Sequence, residues 1–216
     1  VLVNHGLTPQ EIFFYRFLIA YIGIWAISPK HLFADNLKDE LWLVAGGVFG
    51  GSLYFFTENT ALGITQASNV AFIICTAPLL TTILSLLFYK SEKATKGLIY
   101  GSLLALIGVG LVVFNGSVVL KLSPVGDLLT LLAALSWAFY SLVIKRMTGR
   151  YPTVFITRKI FFYGVLTILP AFLLHPLQPD FDVLLQPLVL SNLLFLAVLA
   201  SLICYILWNV VLKQLG

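Results

Sequence analysis

The stretch Leu41-Trp-Leu-Val-Ala-Gly-Gly-Val-Phe-Gly-Gly-Ser-Leu-Tyr-Phe-Phe-Thr-Glu58-Asn-Thr-Ala-Leu-Gly63 decides the fold class. It has the length of a bilayer-spanning helix, which needs about 20 mostly apolar residues. It also carries one carboxylate well inside it. The other eight of the nine acidic residues fall in connections or at segment ends. Placing an ionised side chain in hydrocarbon costs roughly 2.5–3.5 kcal/mol even on lenient insertion scales, so Glu58 needs a partner, a wet cavity or a part in moving a solute.

Six further stretches have the same character: 11–28, 66–89, 97–115, 126–146, 155–175 and 187–212. Hydrophobic residues make up 60% of the chain, charged residues 10%, and the mean hydropathy is +1.00. A soluble domain carries about 25% charged residues. The expectation is an all-α polytopic membrane protein with seven spans. Strands of a membrane barrel would alternate in segments of about 10 residues, and these stretches do not.

Orientation follows from the cations. Lys30, Lys38, Lys90, Lys93, Lys96, Lys145, Arg146, Arg150, Arg158, Lys159 and Lys213 fall on one side of alternating spans, and only Arg16 and Lys121 on the other. Basic residues mark the cytoplasmic side, which puts residue 1 outside and residue 216 inside, with the cell (inner) membrane as the expected location. The pI near 9.1 is then a consequence of topology, with no nucleic-acid partner implied. Cys75 and Cys204 lie within apolar spans and read as small packing residues. His5, His31 and His175 stand in links or at a helix end, so neither a metal site nor a cofactor is expected.

An internal repeat organises the chain. Pro9 followed by Arg16 resembles Pro152 followed by Arg158 and Lys159. An offset of 150 residues places Gly47 on Ala197, Gly50 on Ala200, Gly51 on Ser201, Asn59 on Asn209 and Leu62 on Leu212. The expected halves are 1–115, lacking a first helix, and 126–216, lacking two last helices. They are copies of a five-helix unit in a ten-helix parent. Five is odd, so the second copy enters the membrane upside down. Inverted repeats of this kind build secondary transporters, with the substrate site near the midplane between the copies.

Pro9 with Arg16, the run Asn59-Thr60-Ala61-Leu62 through Ala67-Ser68-Asn69 to Pro78, and the helix Gly97…Gly101…Gly108-Val-Gly110 together resemble the EamA-type drug/metabolite transporter family. The resemblance covers essentially the whole chain. It implies ten helices in two inverted halves around a central cavity, moving small metabolites, with amino acids as a leading class.

Glu58 has two readings. Counted from the outer boundary, Arg16 and Glu58 both lie about 8 Å deep at 1.5 Å per residue, which suits a structural ion pair. Alternatively, Glu58 lines the cavity and exchanges a proton or binds a cationic group. Asn59 and Asn209 could each reach a substrate, or make an interhelical hydrogen bond. Tyr54, Trp137, Tyr140, Tyr205 and Trp208 lie inside spans, where aromatics supply apolar walls with a polar handle. Pro78 should kink its helix and free the carbonyl of Ile74, with Thr76 near enough to help satisfy it. Gly46, Gly47, Gly50 and Gly51, and the Gly97, Gly101, Ala105 stripe, read as close-packing faces.

The sequence thus points to a secondary transporter of small organic metabolites working by alternating access. Its partners are the lipid bilayer and a small-molecule substrate, with protons the candidate coupling ion. No set of catalytic groups is apparent, so an enzyme is not expected. The alternative is a seven-helix receptor or retinal-type protein, against which stands the absence of a lysine inside the seventh span.

Overall fold

The structure is a computed structural model that describes residues 2–27, 32–89, 96–114, 123–173, 176–177 and 180–215. Lys30, His31, Lys90, Lys93, Lys121 and His175 of the sequence reading lie outside the described residues. Among the described residues every regular element is helical: α1 (Pro9–Ile27), α2 (Leu37–Gly47), α3 (Leu53–Leu62), α4 (Ala67–Ile74), α5 (Ala77–Phe88), α6 (Lys96–Phe114), α7 (Pro124–Thr148), α8 (Thr153–Ile168), α9 (Phe181–Leu184), α10 (Pro187–Leu194) and α11 (Cys204–Leu215). Two π-helical segments, Val48–Ser52 and Phe195–Ile203, join α2 to α3 and α10 to α11.

Helices therefore stand at each of the seven expected spans. Five are long and apolar enough to cross a membrane: Pro9–Ile27, Ala67–Phe88, Pro124–Thr148, Thr153–Leu173 and Pro187–Gln214. The helix over 37–62 is not among them, because four glycines, Glu58 and Asn59 dilute its apolar content. In α6 the apolar stretch Ile99–Gly108 is shorter. The chain divides into two compact units, Val1–Ser52 with Val143–Gly216, and Leu53–Leu142. Each unit draws on both of the expected halves, 1–115 and 126–216.

In the first unit α1 presents Phe13, Phe17, Ala20 and Ile24, the buried positions of a helix whose other faces are equally apolar. Phe14 meets Phe172 at 5.6 Å, Phe17 meets Phe161 at 5.0 Å, and Tyr21 meets Phe162 at 5.6 Å between ring centroids. α2 and its π segment run parallel to α8. A Cβ on Gly46 would stand 2.5 Å from Ile160, one on Gly47 2.5 Å from Tyr163, and one on Gly51 3.3 Å from the Gly164 backbone. Glycine is required there because two backbones approach closely.

Two ionic clusters close the start of α2 against α8 and the link before it. Asn36 caps α2, its Oδ1 accepting from the Asp39 amide at 2.8 Å. Asp39 is 1% exposed, and its carboxylate accepts from Asn36 Nδ2 at 2.9 Å, from Arg150 Nη1 at 2.9 and 3.0 Å and from the Tyr151 hydroxyl at 3.0 Å. Burial pushes the Asp39 carboxyl up, but the hydrogen bonds from Asn36, Arg150 and Tyr151 and the Arg150 charge outweigh it, holding the carboxyl below its ordinary value. Glu40 pairs with Lys159 and with the Tyr163 hydroxyl, and it accepts from the Ala34 amide at 2.6 Å. Lys159 also donates to the Leu32 carbonyl at 3.1 Å and faces the rings of Phe33 and Tyr163. These contacts bring the 32–40 and 149–152 links together, as two connections on one side of a bilayer require.

The second unit contains α3 to α6 and the first part of α7. Gly126, Thr130, Ala133, Ala134 and Ala138 form the buried small-residue side of α7. Thr65 donates to Asp127 at 3.3 Å, so the 63–66 link meets the start of α7. The expected kink at Pro78 is a break instead. α4 stops at Ile74, Cys75 and Thr76 turn, and Pro78 sits in the first turn of α5, where its missing N–H costs nothing. The Thr76 hydroxyl donates to the Ile73 carbonyl at 2.6 Å, not to the Ile74 carbonyl as anticipated. The packing role expected of Gly97 and Gly101 is also not seen: a Cβ at either position meets nothing within 4 Å among the described residues. Cys75 is half-buried and Cys204 exposed, so the latter is no packing residue.

Candidate functional site

Tyr54 and Glu58 lie one helical turn apart on α3, and this spacing puts both side chains on one face. The Tyr54 hydroxyl donates to Glu58 Oε1 at 3.1 Å. Neighbouring hydroxyls are occupied by their own helix: Thr57 donates to the Leu53 and Tyr54 carbonyls at 2.8 and 3.0 Å, and Thr60 to the Phe56 carbonyl at 2.6 Å. Tyr54 thus helps to orient the carboxylate, which is itself half-buried.

An aromatic wall continues from Tyr54 onto α7. The Tyr54 and Trp137 rings lie 5.0 Å apart, tilted by 55°, and Trp137 and Tyr140 lie 5.0 Å apart, tilted by 49°. Tyr54 and Tyr140 are buried at the two ends of the wall, and Trp137 between them is half-buried. Four of the residues singled out in the sequence, Tyr54, Glu58, Trp137 and Tyr140, therefore meet inside the second unit. The group offers an anionic hydrogen-bond acceptor beside flat π-faces, suited to a cationic or aromatic group. Asn59 and Thr76 belong to the same unit and are half-buried.

The remaining candidates lie in the first unit and make helix–helix hydrogen bonds. Asn209 is fully buried and donates from Nδ2 to Thr157 Oγ1 at 2.9 Å. The Tyr205 hydroxyl donates to the Gly50 carbonyl in the first π segment. Trp208 is half-buried on α11. Arg16 donates from Nε to Ser201 Oγ at 2.9 Å, in the second π segment. Arg16 belongs to the first unit and Glu58 to the second.

Sequence reading missed the Glu40–Lys159–Tyr163 and Asp39–Arg150–Tyr151 clusters. It assigned their charges to solvated links because each falls at a segment end. The available signal was Lys159, which sits seven residues after Pro152 as Arg16 does after Pro9, and hence inside a helix rather than before it. Among the described residues no group of three or more His, Cys, Asp and Glu side chains is placed to hold a metal ion.

A helical chain with five apolar segments of bilayer length is a multi-pass membrane protein. The EamA-like transporter family profile matches residues 1–114 and 124–216, and the chain belongs to that family. It is accordingly a transporter-family protein and not an enzyme. Over 206 residues it is 27% identical to an uncharacterized transporter of Archaeoglobus fulgidus, covering 94% of this chain and 70% of that one. The uncharacterized transporters YdfC and YyaM of Bacillus subtilis are 32% and 29% identical over 149 and 182 residues, covering 68% and 79% of this chain. The chain spans about half the length of those two relatives, 47% and 55%. A solved crystal structure shares the fold with a TM-score of 0.74 at 18% identity, over 96% of this chain and 71% of that one.

Proposed function

We propose that this chain belongs to a secondary transporter of small organic metabolites, amino acids or related compounds. It would work by alternating access between inverted five-helix halves in the cell (inner) membrane, with residue 1 outside and residue 216 cytoplasmic. The observation that carries the reading is the hydrogen bond from buried Tyr54 to half-buried Glu58, beside the Tyr54–Trp137–Tyr140 wall. Support for inverted halves comes from the likeness of two parallel pairings: the α1 to α10–α11 pairing, where Arg16 meets Ser201 and Phe17 meets Tyr205, and the α2 to α8 pairing, where Gly46 meets Ile160 and Gly51 meets Gly164.

In this mechanism Glu58 accepts either a proton or the cationic group of a substrate, and the aromatic wall takes the apolar part. The structural alternative, an Arg16–Glu58 pair, predicts that charge removal at Glu58 weakens folding more than transport. Flux of labelled amino acids into proteoliposomes across a pH gradient separates the two. Glu58→Gln should lower flux about a hundredfold or more and abolish its gradient dependence, the ordinary scale for a positioned proton-transfer group. Unchanged flux and gradient dependence would remove Glu58 from the mechanism.

A further inference from the structure

The 150-residue offset that carries Asn59 onto Asn209 also carries the first π segment, Val48–Ser52, onto 198–202, inside the second, Phe195–Ile203. A π turn is rare, is found mostly at functional sites, and is a recognised cause of helix bending. Local composition does not explain the coincidence. The first segment is Val-Phe-Gly-Gly-Ser, the second Phe-Leu-Ala-Val-Leu-Ala-Ser-Leu-Ile. Position in the repeat is what the two have in common.

The segments are also joined. Tyr205, two residues past the second segment, donates its hydroxyl to the carbonyl of Gly50 in the first. Tyr205 is 3% exposed, and its ring is held between Phe17 at 5.8 Å and Phe161 at 5.3 Å. Further bonds pin each segment: Arg16 Nε to Ser201 Oγ at 2.9 Å, and the Ser52 and Thr167 hydroxyls at 2.8 Å. Ser52 is in addition the last residue of the first compact unit before the chain enters the second.

We propose that the two π segments are a coupled pair of bending points, tied by the Tyr205–Gly50 hydrogen bond so that neither changes register alone. Converting one π turn to α register rotates everything beyond it by about 100° and shifts it by about 1.5 Å. Done on one side only, that motion separates Tyr205 from Gly50 and leaves a hydroxyl and a carbonyl unpaired in an apolar interior, which is unfavourable. Done on both sides together, it preserves the pairing. The inference rests on the alternating-access reading for its purpose, yet it concerns backbone opening and can be tested without a substrate.

The experiment is hydrogen–deuterium exchange of the protein in lipid nanodiscs, comparing the unmodified chain with Tyr205→Phe, which keeps the ring. Amides of both 48–52 and 195–203 should exchange about fivefold or more faster in the variant, the scale of one lost neutral hydrogen bond. Acceleration confined to one segment, or none, overturns the coupling. Thr157→Val, which removes the Asn209 partner instead, should leave 48–52 unchanged; equal opening there would mean general loosening and would also overturn it. If Tyr205→Phe does not fold, the unmodified protein decides. Opening rates of the two segments that agree within about twofold as temperature rises support the pair, and independent rates refute it.

Discussion

At the scale of residues, Lys159 is the side chain with the most at stake. Its ammonium is 4% exposed and paired with Glu40, which is 14% exposed. Removing one partner of such a pair leaves the other charge uncompensated, typically a loss of about 3–5 kcal/mol, whereas removing both is far milder. Lys159→Met should therefore lower the thermal midpoint in detergent sharply, and Lys159→Met with Glu40→Gln should recover most of the loss. A double variant no better than the single would show that the pair contributes little. Asp39 gives a pH prediction. Its carboxyl titrates below the ordinary value in the folded state, so its contribution is fully present above about pH 4 and fades as pH falls through the folded value. Asp39→Asn should be less stable at neutral pH and lose less on acidification than the unmodified chain. Parallel acid-unfolding curves would contradict this.

Elements raise a different question, namely which face of an all-apolar helix packs. The stripe Phe13, Phe17, Ala20, Ile24 of α1 is no more hydrophobic than the rest of that helix, so periodicity carries no signal there. Glycines behave likewise. Gly46, Gly47 and Gly51 on one hand and Gly97 and Gly101 on the other look alike in sequence, but only the first set meets a neighbouring backbone or core side chain. Gly47→Ala must displace Tyr163 and the Gly164 backbone, and should cost about 1–3 kcal/mol, the usual penalty of overpacking. Gly101→Ala should be neutral within about 0.5 kcal/mol. Denaturant titration of the two variants side by side tests the distinction, and equal destabilisation would overturn it.

On the scale of the whole molecule, topology is the testable quantity. In a chain cleared of Cys75 and Cys204, a cysteine at Gly149 should be modified by impermeant reagent only from the cytoplasmic side, and one at Asp180 only from outside. The reverse pattern would invert the assignment drawn from Lys and Arg. The helical class, the membrane character and the family were legible in the residues alone, because span length and punctuation are local properties that bilayer physics reads directly. The cluster of Tyr54, Glu58, Trp137 and Tyr140 was half legible: the residue types stood out, but their meeting depends on the packing of α3 against α7. The break before Pro78, the π segments, and the partners of Lys159, Asp39 and Tyr205 were decided by tertiary structure. In a chain apolar on nearly every face, only the mutual fit of helices determines which small residues touch, where a helix changes register, and which buried charge finds its counter-charge.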